Sequence, residues 1–186
     1  MITTKITARY EKHLRSLSEK NSRMEYLNTN LLGLSGRQHP AIQNMQSSWE
    51  VRISRPHLKF LSGNYLTYAI KSEQSGGSAR CRICTSGKDE TIFHVIIECE
   101  TLNHSRNSIL EDFKYLSTMT KNDISFENLE ENPKILCQFV LDPASMNLHT
   151  RVSISDPILP AMYRLSRDLC YQLDKSRMDH IQNLKQ

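Results

Sequence analysis

The sequence is poor in aromatic residues and contains no long apolar segment. Aromatic residues make up 7% of its 186 positions, with a single tryptophan, and hydrophobic residues make up 38%. This composition supports only a thin core, and no apolar run approaches the roughly 20 residues that a membrane-spanning helix needs. The first residues, Met1 to Ile6, also lack the apolar region of a secretory signal segment. These absences predict an intracellular protein, cytoplasmic or nuclear, that does not associate with membranes.

Catalytic signatures are absent as well. The sequence contains no Asp-Asp pair, no glycine loop that could cradle phosphates, and no Ser/His/Asp or Cys/His set that suggests nucleophilic catalysis. The pair Gly76-Gly77 stands in a serine-containing stretch that is typical of a linker. We therefore expect a protein that is not an enzyme.

What the sequence does contain is a compact set of metal-ligand residues. Three of its five cysteines and one histidine fall within nineteen residues in the pattern C-x2-C-x9-H-x4-C, namely Cys81, Cys84, His94 and Cys99. Thiolates and imidazole are the usual closed tetrahedral ligand set of structural zinc. Two cysteines two residues apart can bind from one tight turn, and residues four or five apart on a helix lie on roughly the same side. The pattern predicts a structural zinc site without an open coordination position for substrate.

The same cysteines could instead form disulfides. The number of cysteines is odd and no secretory segment is evident, so metal binding is favoured over bridging. Cys137 and Cys170 lie in apolar helical patterns and are interpreted as small buried residues without a function. His104 is the one credible substitute for His94, but it follows Cys99 and would make the spacing irregular.

Hydrophobic periodicity predicts a mainly α protein, with loosely packed helical segments around a small CCHC zinc-knuckle-like motif. The predicted organisation is N-terminal amphipathic helices (1–36), a basic helical segment (37–71), a CCHC zinc-binding module with the following helix (72–118) and a C-terminal helical region (119–186).

Within these segments the pattern gives specific expectations. Helical pieces are predicted between Ile42 and Leu66, with Pro56 breaking or starting one of them. Their buried side would comprise Trp49, Ile53, Leu58, Leu61 and Tyr65, and their solvent side Arg52, Arg55, His57 and Lys59. The stretch from Ser72 to Ala79 is predicted to be a flexible connection. Asn132 followed by Pro133 predicts an N-cap and the first position of a helix.

Positive charge is concentrated ahead of the cysteine motif. Residues 1–80 contain 12 Lys/Arg and 5 Asp/Glu, residues 81–140 contain 6 and 10, and residues 141–186 contain 6 and 5. The net charges of these three parts are +7, −4 and +1. Such asymmetry favours a polyanionic partner, although a basic helix is also a common solvated surface.

Three stretches resemble the C-terminal zinc-knuckle region of reverse transcriptase polyproteins from non-LTR (LINE-type) retrotransposons. Upstream of the knuckle, Arg55, Leu61, Gly63 and Tyr65 are similar to the stretch R-x5-L-T/S-G-x-Y-x-L of that family. The family's knuckle consists of a C-x-x-C pair followed by Glu-Thr, His, Cys, Leu and Arg. The residues of this sequence that match it are Cys81, Cys84, Glu90, Thr91, His94, Cys99, Leu102 and Arg106. The family's closing stretch L-T-R-x-W-C-Y-x-x-H-x-x-R is similar to Leu165 to Arg177, with Ser166 in place of Thr, Leu169 in place of Trp and Asp174 in place of a usual His or polar residue.

The resemblance implies a C-terminal remnant of such a polyprotein, with zinc as cofactor and RNA or single-stranded DNA as partner. The family's polymerase uses paired aspartates to hold two metal ions, and no such pair exists in this sequence. The basic residues expected to contact phosphates are Arg80, Arg82, Lys88, Arg106, Arg52, Arg55 and Lys59. Phe93 would stack on a base or, alternatively, pack beneath the zinc turn.

Two other functions fit the sequence. The chain could be a zinc-stapled helical module that binds a protein partner, a reading that the acidic stretch from Glu98 to Glu131 favours over phosphate binding there. It could also be the remnant of a restriction-like endonuclease, with Asp112 and Lys114 as metal-site residues and Asp89 or Asp123 as a further ligand. That chemistry needs strands, whereas Asp112 and Lys114 fall in a helical pattern.

Overall fold

The computed structural model describes the central and C-terminal parts of the chain. The described residues are 16, 25–27, 39–42, 45, 47–119, 126–145 and 157–184. The amphipathic helices predicted for residues 1–36 therefore lie almost entirely outside the described residues.

Helices account for most of the described residues, which confirms the mainly α prediction. They are α1 (Ser48–Leu61), α2 (Tyr68–Ser75), α3 (Asn103–Thr118), α4 (Phe126–Glu130), α5 (Pro133–Leu141) and α6 (Leu159–Asn183). A π-helical turn covers His94–Glu98, and 3-10 turns cover Glu100–Leu102 and Pro143–Ser145. The extended pairing found in the described ranges is one antiparallel bridge between Arg80 and Asp89.

The long helix α6 is the element against which the others assemble. Helices α1 and α3 pack along it, and α5 and the metal-motif turns also contact it. Its apolar positions Met162, Leu169 and Leu173 are fully buried, at the spacing that keeps side chains on one face of a helix. The buried apolar side chains of α1, α3, α5, α6 and the metal-motif turns form one cluster. Loose packing of the segments stays a prediction.

Helix α1 is continuous, contrary to the expectation that Pro56 would break or start it. Its first turn is closed by a capping box, in which Ser47 Oγ accepts from the Glu50 backbone N–H and the Glu50 carboxylate accepts from the Ser47 N–H. Pro56 lies inside the helix and is buried. Packing of the apolar side against α6 therefore compensates for the hydrogen bond that a proline removes.

Two side chains of α1 lie on the opposite side from the one predicted. Trp49 was expected in the core, but it is 52% exposed because it lies in the first turn, against the ring edge of Tyr171. His57 was expected in solvent, but it is fully buried, and its Nε2 donates to the Leu141 carbonyl over 2.6 Å. The predicted burial of Ile53, Leu61 and Tyr65 is confirmed, and Leu58 is half-buried.

The predicted connection from Ser72 to Ala79 is shorter than expected. Helix α2 starts after Thr67, which caps its first turn by accepting a hydrogen bond from the Ile70 N–H. The helix then continues to Ser75. The chain then turns at Gly76 and Gly77, whose φ values of 73° and 100° favour glycine.

The Asn132-Pro133 prediction holds in part. Helix α5 begins at Pro133 as predicted, but the Asn132 side chain does not cap it and instead donates to the Asn128 carbonyl. Cys137 and Cys170 are fully buried, as expected for small core residues.

Candidate metal centre

The first two cysteines lie on a narrow loop closed by backbone hydrogen bonds. The Cys81 N–H donates to the Lys88 carbonyl over 2.9 Å, and the Glu90 N–H donates to the Ala79 carbonyl over 2.8 Å. Gly87 supplies the φ of 69° that the turn requires. The loop thus holds the Cys81 and Cys84 thiols near each other, as the C-x2-C spacing predicts.

His94 and Cys99 are presented by the turn that follows. Thr91 Oγ1 accepts a hydrogen bond from the His94 N–H over 3.0 Å, which starts the turn. The Cys99 N–H then donates to the His94 carbonyl over 2.7 Å, the five-residue hydrogen bond of a π-helical turn. Because this turn is wider than an α-helical one, residues five apart come to the same side.

The four predicted ligands meet at one point. The ligand atoms of Cys81, Cys84, His94 and Cys99 all lie within 4.8 Å of one another, and His94 Nε2 lies 3.4 Å from Cys84 Sγ. Three of the four residues are buried, and Cys84 is half-buried. This cluster could hold a metal ion, and among the described residues it is the one group of three or more such side chains that could do so.

A carboxylate holds the other side of the imidazole ring. Glu98 Oε2 lies 3.4 Å from His94 Nδ1, and Glu98 Oε1 accepts from Lys88 Nζ over 2.7 Å. The hydrogen bond from Lys88 lowers the pKa of Glu98 below its ordinary value, so this carboxylate is charged. With Nδ1 donating to Glu98, the Nε2 lone pair faces the thiols, as metal ligation by histidine requires.

Two further side chains fix the backbone around the ligands. Thr101 Oγ1 donates to the Ile83 carbonyl over 2.6 Å, which ties the cysteine loop to the second turn. Arg106 Nη2 donates to the Cys99 carbonyl over 2.8 Å, and its Nη1 donates to the carbonyl of Ile97 and to Asn103 Oδ1. The backbone at Cys99 is therefore anchored to the first turn of α3.

Arg106 consequently does not belong to the predicted phosphate-binding set. Its side chain is buried, with 4% of its surface exposed, and its guanidinium is directed to backbone carbonyls beneath the metal site. The sequence places an arginine near the ligands, but it does not reveal that carbonyl groups bind this side chain from inside the protein.

Thiol electrostatics favour a cation at the centre of the cluster. Burial raises the pKa of Cys99 to about 12 and also raises the pKa of Cys81. At Cys84 burial acts in the same direction, but hydrogen bonds from the side chain and backbone of Ser86 bring its pKa below the ordinary value. A cation at this point would favour the deprotonated form of all three thiols, so metal binding here would release protons.

The other predicted nucleic-acid contacts lie on the surface, with one exception. Arg80, Arg82 and Lys88 on the cysteine loop and Arg52, Arg55 and Lys59 on α1 are all exposed. The Arg82 guanidinium lies 4.6 Å from the ring centroid of Tyr68, and Lys88 is paired with Glu98. Phe93 is half-buried and packs against the core, which matches the alternative in which it supports the metal turn.

Sequence reasoning missed a buried ion pair behind the metal module. Glu90 is fully buried and accepts from Arg177 Nε over 2.9 Å, with a second hydrogen bond from Arg177 Nη2. Arg177 also donates to the Leu66 carbonyl, and its guanidinium lies 5.3 Å from the Tyr65 ring centroid. Both residues belong to the stretches that resemble the retrotransposon family, and that resemblance was the one available signal.

A second polar cluster was also missed. Asp142 is fully buried between His39, whose Nε2 lies 3.5 Å from Asp142 Oδ2, and Tyr163, whose hydroxyl donates to Asp142 Oδ1. The His57 ring packs at 6.3 Å from that of Tyr163. Nothing in the spacing of these four residues along the chain indicates that they meet.

The residues proposed for a restriction-like nuclease are not arranged for that chemistry. Asp112 and Lys114 both lie in α3, where neither is on a strand, and Asp89 lies on the cysteine loop. Asp123 falls outside the described residues.

Two further findings bear on identity. None of the helices within the described ranges combines the length and the hydropathy needed to cross a membrane. Comparisons with protein-family models, with curated proteins and with solved structures find no match to this chain.

Proposed function

We propose that this chain is a non-catalytic, zinc-stabilised module that binds RNA or single-stranded DNA through basic residues around its metal centre. We further propose that it derives from the C-terminal region of a non-LTR retrotransposon reverse transcriptase polyprotein. The observation that carries the proposal is the convergence of Cys81, Cys84, His94 and Cys99 on one point.

The donor set and its dimensions support zinc as the metal. Zn–S and Zn–N bonds of about 2.3 and 2.0 Å in a tetrahedron put neighbouring sulfur and nitrogen atoms about 3.5 Å apart, and Cys84 Sγ and His94 Nε2 are separated by 3.4 Å. Three thiolates and one imidazole occupy all four positions. The ion would stabilise the fold of residues 80–100 and would leave no position for a substrate.

The charge around the cluster supports a polyanion as partner. Arg80 and Arg82 flank Cys81 on the exposed loop, so their guanidinium groups can reach phosphates without leaving the fold. The 80 residues that end at Arg80 carry a net charge of +7. Contacts of this kind give affinity that falls with salt and carry little sequence information.

The proposed origin is supported by the way the resembling stretches meet. Tyr65 stacks on Phe60 at 3.8 Å and donates to Asp174 in α6, while Glu90 of the knuckle pairs with Arg177 of the closing stretch. Residues that are separated by 109 and 87 positions thus form one structural unit.

Metal removal tests the first part of the proposal. We expect purified protein to contain one zinc per chain, and we expect chelation or Cys84→Ser to unfold residues 80–100, because a structural metal supplies folding free energy. Limited proteolysis and elemental analysis measure both effects. The matched control is Cys137→Ala, which removes a buried cysteine outside the cluster and should leave the metal content unchanged. Unaltered protease sensitivity after chelation would contradict a structural role for the metal.

Salt-titrated binding tests the second part. We expect a single-stranded RNA oligomer to bind with an affinity that falls as salt rises, and we expect Arg80→Glu with Arg82→Glu to weaken binding while metal content stays the same. Charge reversal of two exposed basic residues of α6, Arg164 and Lys175, provides the control. Equal RNA binding by both double variants would show that the cysteine loop is not part of the nucleic-acid interface.

An alternative function is a zinc-stabilised module that binds another protein. Its support is the exposed apolar surface near the end of α6, where Met178 is 42% and Leu184 is 63% exposed. Undetectable or salt-insensitive RNA binding in the titration above would favour this alternative.

A further inference from the structure

The solvent side of α1 combines one exposed aromatic residue with a row of cations. Trp49, the single tryptophan of the chain, is 52% exposed. The Arg52 guanidinium lies 4.4 Å from the centroid of the indole, and the Tyr171 ring meets the indole at 6.2 Å and 66°. The tryptophan is therefore held in a fixed orientation at the surface although it contributes little to the core.

The cations continue along the same side of the helix. Arg52, Arg55 and Lys59 follow one another at spacings of three and four residues, so they form one stripe about 10 Å long. All three are exposed. The one acidic residue of α1, Glu50, points its carboxylate at the Ser47 N–H and hydroxyl and is therefore engaged in the capping box.

We propose that Trp49, Arg52 and Tyr171 form a stacking platform for an unpaired base of a single-stranded nucleic acid, and that Arg55 and Lys59 bind its backbone phosphates. This inference rests on the proposed nucleic-acid binding and adds a second contact surface, on α1, to the one around the metal.

The chemistry of the platform fits that ligand. Sequence-tolerant recognition of single strands combines a basic surface that follows the phosphates with aromatic rings on which bases stack. An indole is a large π surface, an arginine over the ring orients it, and the 52% of Trp49 that is exposed is the part on which a base would stack. A duplex would not present its bases in this way, because they are stacked inside the helix.

The single tryptophan makes a direct experiment possible. Addition of a 15-nucleotide oligo-uridine should quench the intrinsic fluorescence of Trp49, because a base stacked on the indole quenches its emission. In parallel, fluorescence anisotropy of a labelled copy of the same oligomer measures total binding, and Trp49→Ala should weaken it about tenfold, the usual order for loss of one base–aromatic stack. Trp49→Phe should restore most of the affinity.

Three controls separate stacking from charge and from general surface change. Tyr115→Ala removes another exposed aromatic residue, on α3, which is 62% exposed, and should leave binding unchanged. An oligomer of abasic sugar-phosphate should bind the wild type and Trp49→Ala equally and should not quench. Changing Arg55 and Lys59 together to Gln should reduce the slope of log K against log salt by about 1.4, roughly 0.7 for each phosphate contact with a single strand, and should leave the quenching in place.

The outcomes distinguish this inference from the proposed function. Binding by anisotropy without quenching, with Trp49→Ala at wild-type affinity, would overturn the platform and leave nucleic-acid binding intact. Equal affinity of the wild type for the abasic and the uridine oligomers would also overturn it. No binding of either oligomer at low salt would overturn both the stacking platform and the proposed nucleic-acid binding.

Discussion

At the scale of single residues, the candidate metal centre depends on side chains beyond its four ligands. Glu98 orients the His94 ring and is itself held by Lys88, so it sets which imidazole nitrogen faces the cysteines. Such outer contacts typically contribute 10- to 100-fold to metal affinity. Glu98 therefore deserves to be regarded as part of the metal site, although the ligand pattern does not include it.

We expect Glu98→Gln to lower zinc affinity about 10- to 100-fold, because the amide lacks the charge that holds the Nδ1 proton. Competition with a chromophoric chelator measures the change. Glu100→Gln, two residues further on and exposed, is the matched control. Equal zinc affinity of Glu98→Gln and the wild type would show that the carboxylate does not support the ligand.

The ligands were predictable from the sequence, whereas several neighbouring residues were not. Spacing alone identifies Cys81, Cys84, His94 and Cys99, because two short turns bring them together whatever the rest of the chain does. The position of Trp49 depends on where α1 begins relative to α6, and that of Arg106 depends on carbonyls that only the folded chain brings near. Local patterns do not contain this information.

At the scale of elements, the Glu90–Arg177 pair joins the metal module to α6. Both side chains are almost completely buried. Two buried charges compensate each other only while both are present, and loss of one partner leaves the other without a counter-charge.

We expect Arg177→Met to destabilise the protein by about 3–5 kcal/mol, because Glu90 would remain buried and charged. Urea unfolding measures the change. Lys175→Met, on an exposed position of the same helix, should have little effect. Adding Glu90→Gln to Arg177→Met should recover part of the loss, and a double variant no more stable than the single one would show that charge is not the cause.

Helix positions were easier to predict than helix boundaries and breaks. The periodicity of α3, α5 and α6 is strong enough to identify them, and Pro133 marks a helix start. The predicted break at Pro56 does not occur, because burial of the side chains around it outweighs the cost of the lost backbone hydrogen bond. Ser72 to Ser75 are helical because they continue a helix whose first turn Thr67 caps.

At the scale of the whole molecule, the buried cluster around His57 and Asp142 makes stability depend on pH. Burial lowers the pKa of His57 to about 4, against the effect of its hydrogen bond to the Leu141 carbonyl. The folded state therefore keeps this imidazole neutral, while the unfolded state takes up a proton near pH 6.5. The contribution of the neutral His57 ring to the free energy of unfolding is fully present above pH 6.5 and is lost as the pH falls to about 4.

We expect His57 to account for a loss of up to about 3 kcal/mol in the free energy of unfolding between pH 6.5 and pH 4. Denaturant unfolding of the wild type and of His57→Gln, at the same zinc concentration, isolates this effect from protonation of the metal ligands. The glutamine amide can still donate to Leu141 but does not titrate. Parallel pH profiles for the two proteins would contradict the assignment.

The assembly of the elements could not be predicted from the sequence. Contacts such as His57 with Leu141 and Tyr65 with Asp174 join residues 84 and 109 positions apart. Periodicity indicates which face of a helix is apolar, but it does not say which other face covers it.

The π-helical turn at His94–Glu98 sets the direction in which the side chains of α3 point. Each residue advances an α-helix by about 100°, so deletion of one residue between His94 and Cys99 would rotate α3 by roughly a quarter turn and move the Phe113 ring away from Phe139 of α5. The same turn that spaces His94 and Cys99 thus also fixes the azimuth of the next helix. Length changes in this segment should for that reason be less well tolerated than changes in the loop at Gly76-Gly77.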